Sequence, residues 1–111
     1  MTEDTDSEFV QVATDVARRT LKGEYDLLLA CRDLADLRGR LPGVSEEVMD
    51  TFVAVASEVD DLPLGRERGQ WSVEALAAKD ADAEIYRKRV RGAVEEALSK
   101  VLMSLGGSRS K

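Results

Sequence analysis

The chain contains no histidine, a single cysteine, two prolines and five aromatic residues among its 111. Without histidine it lacks the commonest general base and the commonest metal ligand near neutral pH. Cys31 has no second thiol to form an intramolecular disulfide. It also has no imidazole to activate it or to complete a cysteine/histidine metal set. No serine sits in a Gly-x-Ser-x-Gly or Walker-type setting. Any catalysis would therefore have to be built from carboxylates. Long apolar runs are missing too: nothing approaches the roughly 20 residues that span a bilayer. The opening MTEDTDSE is acidic where a secretory signal would be basic and then apolar. These absences predict a cytoplasmic protein with a reduced, structural thiol and no membrane anchor.

The residues that are present describe one globular unit. Apolar residues make up 43% of the chain and charged residues 34%, a mixture that folds, at a length that suits one domain. The net charge of −6 is unevenly distributed. Residues 1–83 hold nineteen acids against nine bases, whereas residues 84–111 hold three acids against seven bases. Such a field speeds encounter with an oppositely charged partner, and overall acidity disfavours nucleic acid. A basic protein partner is the expectation, with no nucleic acid, membrane, metal or cofactor.

Periodicity predicts an all-α fold: a compact bundle of four to five helices with one irregular Pro/Gly loop. Residues 1–6 read as a mobile acidic tail, 7–105 as a single helical domain and 106–111 as a polar C-terminal tail. Ser7 is the expected cap of a first helix carrying Phe9, Val12, Ala13, Val16, Ala17 and Leu21, ended by Gly23. A second helix is expected from Glu24 to about Leu41, with the Arg38 stem along its apolar stripe and Pro42-Gly43 as its stop. Ser45, followed by Glu46 and Glu47, caps a Val-rich third helix, although FVAVASEV over 52–59 also fits a strand. Residues 60–70, DDLPLGRERGQ, break every helical pattern. Ser72 caps the C-terminal helical run, which is either one helix to Leu105 or a short helix and a bend, with Gly106-Gly107 as the terminator.

Three groups of residues are candidates for function. Loops on a rigid scaffold often carry binding groups, and the stretch from Ser57 to Trp71 crowds acids, bases and the sole tryptophan into fifteen residues. Glu46, Glu47, Asp50, Glu58, Asp60 and Asp61 are the expected partner-binding acids, with Arg66 and Arg68 as rim contacts. A structural alternative has Leu62, Leu64 and Trp71 pinning the loop to the core. The pairs Asp33/Asp36 and Glu47/Asp50 each place two carboxylates on one helical face, as magnesium-dependent phosphate chemistry would require. Arg87 and Arg91, with Lys88 and Arg89, could grip a phosphate or an acidic partner. The bland alternative pairs Lys88 with Glu84 and Arg91 with Glu95 on the surface.

The string SEVDDLPLGRERGQWSVEAL resembles a loop motif of small bacterial helical proteins of unknown function, some regarded as immunity-type or interaction proteins. Ser57, Glu58, Asp60, Leu62, Pro63, Gly65, Arg68 and Trp71 match it, and Val59 stands where that motif has threonine. The resemblance covers about residues 57–76 and implies an ordered loop more than a particular activity; together with the acidic charge it points to a non-enzymatic, immunity-type binding protein. The carboxylate pairs are superficially similar to MazG-type nucleotide pyrophosphohydrolases. They depart from that family in lacking its glutamate-based first motif and its lysine-rich substrate segment. A structural homo-oligomer joined through the Val-rich third helix is the third reading.

Overall fold

The computed structural model describes residues 2–60 and 69–106. Within them the chain forms four helices: α1 (Thr2–Leu21), α2 (Leu27–Ala35), α3 (Glu46–Glu58) and α4 (Val73–Gly106). No strand occurs among the described residues. Helix α2 packs on α3, α1 on α4, and both α2 and α3 also rest on α4. At about 1.5 Å per residue, the 34 residues of α4 span about 51 Å. The molecule's longest dimension is 50 Å, so α4 is the spine on which the three shorter helices are laid.

The core is assembled from one stripe of each helix. Leu28, Cys31 and Leu34 of α2, Phe52 and Val55 of α3, and Val94, Leu98 and Val101 of α4 are buried together, with Val59 just beyond α3. Helix α1 contributes the buried Ala13, Ala17 and Thr20, a small-residue ridge that allows close approach of its neighbours. The Thr20 hydroxyl is satisfied within the helix, donating to the Val16 carbonyl at 2.6 Å.

Several expectations about helix boundaries are corrected. Helix α1 begins at Thr2 rather than after a Ser7 cap, because apolar periodicity does not register a first turn that adds nothing to the apolar stripe. Helix α2 runs neither from Glu24 nor to Leu41. It starts behind Asp26, whose carboxylate accepts the Leu29 N–H at 2.9 Å, and it stops at Ala35. From there Leu37 N–H donates to Leu34 and Arg38 N–H to Ala35, tightening the chain into three-residue turns. Gly39 then takes the left-handed conformation, φ 83°, which ends the helical path three residues before Pro42. The connector is held down by the buried Leu41.

Residues 46–58 are helical, which removes the strand alternative for that span, and Ser45 Oγ accepts the Val48 N–H as expected of a cap. Ser72 caps α4 through the Ala75 N–H at 3.1 Å. The helix continues without a bend through 79–84 and takes in Gly106. The irregular Pro/Gly segment falls mostly on residues 61–68, outside the described residues.

Truncating Phe52 to Ala should cost about 3–5 kcal/mol, a large part of the roughly 5–15 kcal/mol that holds a domain of this size together. Val73→Ala, at a residue 81% exposed, should stay within about 0.5 kcal/mol of the parent. Urea denaturation followed by circular dichroism checks both, and equal effects at the two positions would contradict this core.

Candidate interaction surface

The base-rich stretch of α4 is tied into the fold. Arg87 directs Nε to Asp26 Oδ1 at 2.8 Å and Nη2 to the same oxygen at 2.7 Å, while Nη1 lies 3.5 Å from Glu84. Both members of the Arg87/Asp26 pair are largely covered. Asp26 thus serves the α2 N-terminus with one oxygen and α4 with the other. Arg91 faces Glu95 at 3.6 Å, the pairing expected of a surface residue. Glu84 meets Arg87 rather than Lys88. These groups border a cleft of about 550 Å³ where the α1–α2 turn faces α4, lined by Tyr25, Asp26, Glu84, Arg87 and Arg91 among others. Its arginines are matched by carboxylates, so the cleft is not a ready anion site.

The carboxylates proposed for metal chemistry are dispersed into separate structural roles. Asp33 accepts the Tyr25 hydroxyl hydrogen bond, Asp50 receives Arg38 at 2.7 Å, and Asp36, whose backbone N–H closes the end of α2, is exposed. Glu47 stands exposed. Among the described residues no group of three or more His, Cys, Asp or Glu side chains is placed to hold a metal ion.

Arg38 lies off the apolar stripe that helical spacing predicts for it. It is exposed and reaches α3, bonding Glu46 at 2.6 Å as well as Asp50. The hydrogen bonds it donates, to Glu46 first and to Asp50 second, push its pKa further up. A second arginine acts at the other end of α3. Arg32 donates to the Val59 and Asp60 carbonyls at 3.2 and 3.3 Å, satisfying acceptors that a helix C-terminus leaves open.

Glu46, Glu47, Asp50, Glu58 and Asp60 are all exposed. Glu46, Glu47, Asp50 and Glu58 fall within roughly a third of the α3 circumference at 3.6 residues per turn. Exposed Ala54 and Ser57 share this arc, and the buried Val48, Met49, Phe52 and Val55 lie opposite. Glu47, Glu58 and Asp60 form no ion pair among the described residues, whereas Glu46 and Asp50 share Arg38. Asp61, Arg66 and Arg68, like Leu62 and Leu64, lie outside the described residues, and Trp71 is half-buried. Sequence reading misses Asp26 and Arg32. The first can be found from the Asp-x-x-Leu register at the start of the densest apolar run; the second has no local signal, because its acceptors are 27 and 28 residues away.

Cys31 is buried, and burial first, then the nearby Asp26 charge, raise its thiol from an ordinary 9.0 to about 12. Burial, followed by the hydrogen bond to Asp33, raises Tyr25 from 10.0 to about 12. Both groups are neutral in the fold at pH 7. Stability that depends on their neutrality is complete below the unfolded values and is lost as pH rises through the folded ones. The melting temperature should therefore fall between about pH 9 and 12, with Cys31→Ala removing the earlier part of the decline and Tyr25→Phe the later part. A native-state thiol titration at about pH 8, below the ordinary thiol value, should find Cys31 unreactive until denaturant is added; prompt labelling would contradict its burial. A double-mutant cycle on Asp26→Ala and Arg87→Ala should return a coupling of about 1–2 kcal/mol, and additive effects would mean that the pair does not join the helices.

No protein family, curated protein or solved structure matches this chain.

Proposed function

We propose that this chain is a non-enzymatic binding protein of immunity or inhibitor type, which docks on a basic protein partner through the outer face of α3. The observation that carries the reading is the arc of acids on that face, all exposed, with Glu47, Glu58 and Asp60 left uncompensated by any ion pair among the described residues. Arg38 neutralises part of the arc near its start, which concentrates the remaining negative charge toward Glu47 at one end and Glu58 and Asp60 at the other. Between them Ala54 and Ser57 form a low, smooth middle. A partner with two basic contacts flanking a small apolar or polar centre fits this outline. Electrostatic contact of this kind sets encounter rate and salt dependence more than final affinity.

The carboxylate-based hydrolase reading is not favoured, because Asp33, Asp36, Glu47 and Asp50 are engaged separately or stand apart. A homo-oligomer through the valines of α3 is not favoured either, since Val48, Val55 and Val59 are used inside the core.

Affinity capture on the immobilised protein, eluted with a salt gradient, tests the proposal. A single basic partner should leave the column at moderate salt. The Glu47→Lys/Glu58→Lys double variant should fail to retain it while keeping its melting temperature within a few degrees, as substitutions at exposed sites do. A partner retained equally by that variant, or no salt-sensitive partner at all, would overturn it.

A further inference from the structure

The solvent side of α4 carries an arrangement that none of the structural roles above accounts for. Ala78, Ala81, Asp82, Ile85, Lys88, Arg89 and Gly92 are all exposed, and at 3.6 residues per turn they occupy a single strip centred on Ile85. Ile85 is itself 61% exposed, a branched apolar side chain held out of the core. Lys88, Arg89 and Asp82 form no ion pair among the described residues, although their neighbours Arg87 and Arg91 do.

Gly92 is the second anomaly. It sits in the interior of a long helix, its φ is not positive, and a Cβ built on it meets nothing within 4 Å. A helix-interior glycine costs about 1 kcal/mol relative to alanine. Nothing within the single chain requires one here. Such a residue is useful where another backbone must approach closely.

The strip is complementary to itself. Counting outward from Ile85, three residues toward the N-terminus lies the acid Asp82 and three toward the C-terminus the base Lys88. Four residues away lie Ala81 and Arg89, and seven away Ala78 and Gly92. A second α4 laid antiparallel across the first, with Ile85 beside the axis, keeps each residue on its own edge of the strip, so it sets Asp82 of each copy against Arg89 of the other and Ala78 of each near Gly92 of the other. Self-complementarity of this sort is what a two-fold interface demands, since every contact occurs twice.

We propose that two copies of this chain associate about a two-fold axis at Ile85, with α4 packed antiparallel on α4 of the second copy and Asp82 of each facing Arg89 of the other. The face used is the solvent side of α4 and not the acidic arc of α3, so the proposal stands apart from the functional reading above. Such a dimer displays two copies of the α3 arc, which would raise apparent affinity for a partner bearing two sites.

Sedimentation velocity on the purified full chain, from micromolar to near-millimolar concentration, tests it. The expected result is a reversible monomer–dimer equilibrium. Ile85→Lys should weaken it about tenfold or more, and Asp82→Arg should weaken it as well, whereas Asp82→Arg combined with Arg89→Asp should restore it. Gly92→Gln gives an independent readout: it should raise the melting temperature of the dilute monomer by improving helix propensity while lowering dimer affinity. A chain that stays monomeric throughout, or a dimer indifferent to the changes at Ile85 and Gly92, would overturn the proposal.

Discussion

One carboxylate holds the arrangement of this molecule in place. Helix α2 has only nine residues, too few to persist alone in water, and yet it supplies Leu27, Leu28, Ala30, Cys31 and Leu34 to the core and touches each of the other three helices. It exists because its apolar face is buried and because Asp26 closes its first turn. The same Asp26 receives Arg87 from the middle of α4. Capping and docking are therefore not separable events: the group that allows α2 to start also fixes where α2 lies along the spine. A carboxylate used this way accepts charged and neutral donors together, and charge-assisted bonds are stronger than neutral ones.

Three of the arginines follow a common logic. Arg87 braces α2 against α4, Arg32 fills the open carbonyls at the end of α3, and Arg38 draws the start of α3 to the connector that precedes it. Each spans a junction between elements, where a planar fork of donors on a long stem satisfies polar groups that neither element satisfies alone. The charge left over after these junctions are made is what the surface offers to other molecules. On α3 it is negative, and on α4 around Ile85 it is of both signs.

Much of the fold is legible in the sequence because apolar spacing reports directly on burial. The stripe from Tyr86 to Leu105 identifies α4, and Ser45 and Ser72 mark the starts of α3 and α4 through a side-chain chemistry that is local. The failures are also physical. Spacing makes α2 too long because Leu37 and Leu41 continue its apolar pattern, although they reach the core from a tightened turn and a connector and not from a helix face. The helix has ended at Asp36, and Gly39, between the two leucines, turns the chain away with its left-handed backbone. Arg38 escapes its predicted stripe for the same reason, since that stripe requires a helix that has already ended. Exposure of the α3 acids follows from the helical pattern, whereas the capture of Glu46 and Asp50 by Arg38 and the retirement of Arg87 into the fold depend on partners outside each helix, which spacing does not reveal.

Asp26 is a joint between two helices and not only the cap of one. Native-state amide hydrogen exchange on the parent and on Asp26→Ala tests that most directly. Protection should fall together in α2 and in the middle of α4 around Arg87, with the C-terminal end of α4 around Val101 less affected. Loss confined to the first turn of α2, with α4 unchanged, would reduce Asp26 to a local cap and contradict the claim.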